Sequence, residues 1–133
     1  MAKILICDDN VEEGKVMAQA VHDIGSSCKI VRTPAEAFKE MQTSSYDVVI
    51  VDIQNLRTPG SYFRGDAYDW ARRMKELQPQ TPIWGVSGAL HPDDKDEVRT
   101  YFDEAYDKWS HLFMAERLHK YPLENILREH GLL

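Results

Sequence analysis

Short runs of consecutive apolar residues alternate along this chain with stretches whose apolar side chains recur every three to four positions. Ile4–Cys7, Val48–Val51 and Ile83–Val86 are of the first kind, the pattern of strands covered on both faces inside a parallel sheet. Val16, Ala20 and Ile24 recur at a spacing of four beside Met17 and Val21, which predicts a helix over 10–24 closed by Gly25. A second strand starts at Cys28. Thr33-Pro34-Ala35-Glu36 reads as a capping box with proline at the first helical position, and Ala37, Phe38 and Met41 carry a helix over 34–42. The third helix shows its stripe as Ala67, Trp70, Ala71, Met74 and Leu77, with Pro79 beyond its end. Pro92 opens an acidic fourth helix with Val98, Tyr101 and Phe102 inward, and Glu104–Asp107 is the least apolar strand, as suits a sheet edge. After Lys108 the chain is expected to turn helical, to be interrupted or restarted at Pro122, and to end with the face Leu123, Ile126 and Leu127 before Gly131.

Strand and helix thus alternate five times, which predicts an α/β fold: a doubly wound (βα)5, flavodoxin-like parallel sheet with right-handed crossovers. In the strand order 2-1-3-4-5, strands one and three lie side by side at the switch point, where such sheets bind their ligands. Asp8 and Asp9 end the first strand and Asp52 ends the third, so that order brings the three carboxylates together. At 133 residues and 43% apolar content the chain is read as one domain over 1–133. A net charge of −6 without Lys/Arg clusters argues against nucleic acid as a partner. No stretch approaches the roughly 20 apolar residues that span a bilayer, and no signal segment opens the chain, so no membrane partner and a cytoplasmic location are expected. Cys7 and Cys28 form neither a CxxC motif nor a disulfide framework, and the five histidines lack ligand spacing and read as surface residues.

Like charges about 4 Å apart repel by roughly 4 kcal/mol at an effective dielectric near 20, so clustered carboxylates call for a cation or raised pKa values. All-oxygen ligation favours Mg²⁺, Mn²⁺ or Ca²⁺, and Mg²⁺ characteristically binds one or two carboxylates while bridging to phosphate. Ser87 ends the fourth strand and Lys108 follows the fifth, which would bring a hydroxyl and an ammonium to the same rim. A carboxylate in such a pocket can act as nucleophile and carry an acyl phosphate.

The ordered set Asp8-Asp9, Asp52, Ser87 and Lys108, in these strand contexts and across essentially the whole chain, resembles the receiver domain of two-component response regulators, of the single-domain type. The resemblance implies Asp52 as phosphoacceptor, Asp8 and Asp9 as the Mg²⁺ acidic pair, and Gln54 as donor of a backbone carbonyl to the metal. It implies Ser87 as the phosphate-sensing hydroxyl and Lys108 as the phosphate-contacting cation. Phosphate would come from a histidine kinase or phosphotransfer protein, and the output would be phosphorylation-dependent binding of a downstream protein. Activity would extend at most to self-phosphorylation and autodephosphorylation.

The chain departs from that pattern in three places. Trp109 follows the lysine where the family usually has proline, and a trans bond is expected there, because a non-proline cis bond costs about 2.5–4 kcal/mol. Ala105 stands where the family has its switch aromatic, with Tyr106 turned to the opposite face by strand alternation. Ile53–Arg64 is a long stretch before Gly65, read either as a solvated insertion or as a flap able to bring Arg57 or Arg64 to a phosphoryl group. Trp70 and Trp84 read as core. The alternative function is a pseudo-receiver, a phosphorylation-independent interaction module. A phosphatase of the haloacid-dehalogenase type would need a second Asp where Gln54 stands, and a flavodoxin-type phosphate loop is opposed by the acidic run Asp8–Glu13.

Overall fold

In a computed structural model, residues 1–53, 64–88, 90 and 92–133 are described, without the side chains of residues 64, 65 and 93. The strands are β1 (Lys3–Cys7), β2 (Ser27–Val31), β3 (Val48–Asp52), β4 (Ile83–Ser87) and β5 (Glu104–Asp107), with helices α1 (Val11–Asp23), α2 (Pro34–Thr43), α3 (Arg64–Leu77), α4 (Pro92–Tyr101) and α5 (Pro122–Glu129). All four pairings are parallel, in the order β2-β1-β3-β4-β5. The two less apolar strands, β2 and β5, form the edges, as their composition implies.

The unbroken apolar runs arise because alternate residues of one strand serve two cores. Leu5, Cys7, Val49, Val51, Ile83 and Ala105 pack under α2, α3 and α4. Ile4, Ile6, Val48, Ile50, Trp84 and Val86 pack under α1, α5 and the segment before α5. Gly85 is required by the first core: a Cβ there would lie 2.8 Å from both Ile53 and Val98. Ala105 and Tyr106 do face opposite cores, and Trp84 is fully buried, whereas Trp70 is only partly buried, against Phe38.

Local signals explain the helix ends. The Asn10 side chain accepts from the Glu13 N–H at 3.1 Å to start α1, and Gly25 closes it at φ +80°. Thr33 caps α2 as expected, accepting from the Glu36 N–H, but the Glu36 carboxylate accepts from Arg32 N–H, one residue before the cap. Four expectations need correction. Leu77, expected to end the apolar stripe of α3, is 39% exposed. Val16 is 52% exposed, and the inner stripe of α1 is Gly14, Met17, Ala20 and Val21, because the tighter helical turn carries position 16 to the solvent side. Tyr101 is 43% exposed and stacks on Tyr68 instead of entering the core. Beyond Lys108 the chain forms one wide helical turn, Lys108–Phe113, in which Met114 N–H donates to the Trp109 carbonyl, and α5 begins only at Pro122.

No cis peptide bond occurs among the described residues. Cys7 is buried and Cys28 half-buried, both as free thiols. Of the histidines, 22, 119 and 130 are exposed; His111 is half-buried, its Nδ1 accepting from the Asp107 N–H at 2.9 Å, and His91 lies outside the described residues. No described helix is long and apolar enough to cross a membrane.

Candidate functional site

β1 and β3 are neighbours with Cys7 in register with Val51, so the next residues, Asp8 and Asp52, meet at the C-terminal rim of the sheet. Alternation from Ile6 and Ile50 turns both toward the face that α1 covers. Asp8, Asp9 and Asp52 each bring a carboxylate oxygen within 4.8 Å of the others, and Asp8 and Asp52 are buried. Such a donor set, all hard oxygen and of one charge, suits a divalent cation bound through oxygen.

Lys108 reaches this cluster from the far edge. Its side chain is 2% exposed, and its Nζ lies 2.8 Å from Asp8 Oδ2, 3.1 Å from Glu13 Oε2 and 3.2 Å from Asp52 Oδ1. Position 88, which alternation from Trp84 and Val86 puts on the same face of β4, is glycine. The nearest atom to a Cβ there would be the Trp109 Nε1 at 3.6 Å. Asp107 holds the lysine's backbone in place, since its Oδ1 accepts from the N–H groups of Trp109 and Ser110 at 3.2 and 3.0 Å. The Asp8 carboxylate also accepts from Asn10 N–H at 2.9 Å, which ties β1 to the start of α1.

Burial is the largest influence on Asp52 and pushes its carboxyl up to about 7; the Lys108 ammonium opposes this, and Asp8 and Glu13 add to it. Burial alone would depress the Lys108 amine, but the carboxylates of Asp52, Asp8 and Glu13 outweigh it and hold the amine above its ordinary range. A cation among the carboxylates would favour the ionised, nucleophilic form of Asp52.

Asp8, Asp9, Asp52 and Lys108 are thus brought together. Ser87 closes β4 one position past Val86, the residue in register with Asp52, and is buried on the same rim. Gln54, and the part of the predicted flap that holds Arg57, Tyr62 and Phe63, lie outside the described residues. Glu13 is the site residue that sequence reasoning missed. Its signal was a carboxylate in the first turn of a helix that starts at the carboxylate rim, but its partner is 95 positions away.

No family model matches the chain. Over 105 residues, 79% of the chain, it is 24% identical to the autoinducer 1 sensor kinase/phosphatase LuxN of Vibrio campbellii and to its counterpart in Vibrio harveyi. The match spans 12% of the length of those proteins. Among solved structures, a response regulator from Thermotoga maritima superposes with a TM-score of 0.72 at 17% identity, covering 96% of each chain. The chemotaxis response regulator CheY4 of Vibrio cholerae superposes with a TM-score of 0.68 at 20% identity, covering 100% of this chain and 99% of that one. The signal receiver domain of a DNA-binding response regulator from Colwellia psychrerythraea gives 0.70 at 19%, with 98% of each chain covered. This chain therefore has the fold of the receiver domains of two-component response regulators, with a clustered acidic triad at the crevice between β1 and β3.

Proposed function

We propose that residues 1–133 act as a phosphoacceptor receiver domain, taking a phosphoryl group onto Asp52 and signalling through altered binding of a downstream protein. The observation that carries this reading is the buried Lys108 ammonium, in contact with both Asp8 and Asp52 at the rim where this fold opens. Asp8, Asp9 and Asp52, with a backbone carbonyl from Gln54, would hold Mg²⁺. When bound, Mg²⁺ supplies charge neutralisation for the carboxylates and for phosphoryl oxygens. In transfer, an Asp52 carboxylate oxygen forms a P–O bond as the P–N bond of a phosphohistidine breaks, and the electron pair leaves on the imidazole nitrogen. Lys108 and the Ser87 hydroxyl would donate to the phosphoryl oxygens, so this chain contributes mainly positioning and charge.

A histidine kinase or phosphotransfer protein as donor is supported by the likeness to receiver domains and by the weaker one to a sensor kinase/phosphatase. For the output, a groove of about 320 Å³ between α4, β5 and α5, lined by Lys95, Arg99, Ala105, Tyr106, His111 and Ile126, offers a protein-binding surface. Turnover would be limited to self-phosphorylation and autodephosphorylation, and the site of action is proposed as the cytoplasm.

One observation favours the pseudo-receiver reading: β5 presents Ala105, not an aromatic, toward α4. Incubation with phosphoramidate and Mg²⁺ separates the two readings. Acid-labile phosphate on the wild-type chain and none on Asp52→Asn is expected; no labelling of either chain would leave the interaction module as the function.

A further inference from the structure

We propose that Glu13 is the displaceable counter-ion of Lys108: it occupies one of the ammonium's donors in the resting chain and gives it up when an incoming phosphoryl group takes that contact. The inference rests on the reading of Asp52 as a phosphoacceptor. Of the three N–H donors of this ammonium, one goes to Asp8 at 2.8 Å and one to Glu13 at 3.1 Å, while Asp52 Oδ1 lies 3.2 Å away as an ion pair. A phosphoryl oxygen arriving at Asp52 competes with these carboxylates for the ammonium.

Burial decides which one leaves. The Asp8 side chain has no exposure and also accepts from Asn10 N–H, so stripping its ammonium would strand a buried charge. Asp52 is the group being modified, and its side chain is 10% exposed. The Glu13 side chain is 34% exposed, so its carboxylate can turn to water at the least desolvation cost. Released, it remains in the first turn of α1, where the helix dipole favours a negative charge. Glu12 provides the internal comparison: it carries the same charge one residue earlier, but is 84% exposed and pairs with Lys15.

The test uses the whole chain, phosphoramidate as donor and saturating Mg²⁺, with acid-labile phosphate followed over time. An Asp52 oxygen forms a P–O bond while the P–N bond of phosphoramidate breaks, and the leaving nitrogen takes a proton from solvent to depart as ammonia. Glu13→Gln is expected to be labelled about fivefold faster than wild type, the size of one partly exposed ion pair, with Glu12→Gln unchanged. Glu13→Ala should repeat the effect. A second readout needs neither metal nor donor: the Trp109 ring centroid lies 5.7 Å from Lys108 Nζ, so its indole N–H resonance should shift in Glu13→Gln and stay in place in Glu12→Gln. Equal labelling rates for wild type and both Glu13 variants would overturn the inference alone, as would equal acceleration in Glu12→Gln. Absence of phosphate from Asp52 in every chain would overturn the phosphoacceptor reading and this inference with it.

Discussion

The crevice between β1 and β3 and the connection from β5 to α5 are built on different principles. In the crevice a buried ammonium from one edge of the sheet is locked between carboxylates of β1, α1 and β3, so its geometry depends on contacts between residues 56, 95 and 100 positions apart. The connection depends largely on its own neighbours. Asp107 caps Trp109 and Ser110, the wide turn closes on Trp109, and Glu116 N–H donates to the Lys120 carbonyl around His119 at φ +58°. Two kinds of long-range anchor serve it: Leu112 and Phe113 are buried in the second core, and Asp23 accepts from Tyr121 at 2.9 Å and lies 3.3 Å from His119. Long-range charge pairing makes the crevice costly to alter, whereas the hydrogen bonds that shape the connection are mostly local and leave the sheet untouched.

If that contrast holds, perturbations of the crevice should outweigh those of the connection. The largest effect is expected from pH in the presence of a chelator. Because burial raises the folded Asp52 carboxyl from 3.8 to about 7, the folded chain binds that proton more tightly than the unfolded chain. This contribution is full below about pH 4 and is lost as pH rises through about 7, on the order of 4 kcal/mol. Urea titrations across that range should show the decline in wild type and a flat profile in Asp52→Asn; a decline that survives the substitution would assign it to other groups.

Next, Lys108→Met leaves Asp8 and Glu13 without their ammonium and should cost about 3 kcal/mol at pH 8 in chelator, with part recovered on adding Mg²⁺. In the connection, Asp107→Ala removes the cap of the wide turn and should cost about 1 kcal/mol, read as a lower Tm. The smallest effect is expected at the left-handed residue: His119→Gly relieves the backbone there but gives up the contact with Asp23, so stability should change by less than about 0.5 kcal/mol. If Asp107→Ala destabilises more than Lys108→Met, the contrast between the two regions fails.

Much of the architecture was legible because its signals are local. Apolar runs marked the strands of the two cores, the capping box at Thr33 marked a helix start, and Gly25 and Pro79 marked ends. Val16 misled because α1 has apolar residues on more than one face, and periodicity alone does not say which face meets the sheet. The break after Phe113 was hidden for a related reason: residues 108–121 have helix-compatible composition, and the Asp107 and Asp23 contacts that shape them cannot be read from propensity.

By itself the sequence determined the order and kind of the elements and the ends of strands at which Asp8, Asp9, Asp52 and Ser87 stand, since hydrophobic period and capping act over a few residues. Only the tertiary structure decided that Lys108 is buried against Asp8, Glu13 and Asp52, and that Glu13 belongs to the crevice at all. An ion pair closes when the fold sets two side chains within about 4 Å, and no spacing along the chain encodes that distance.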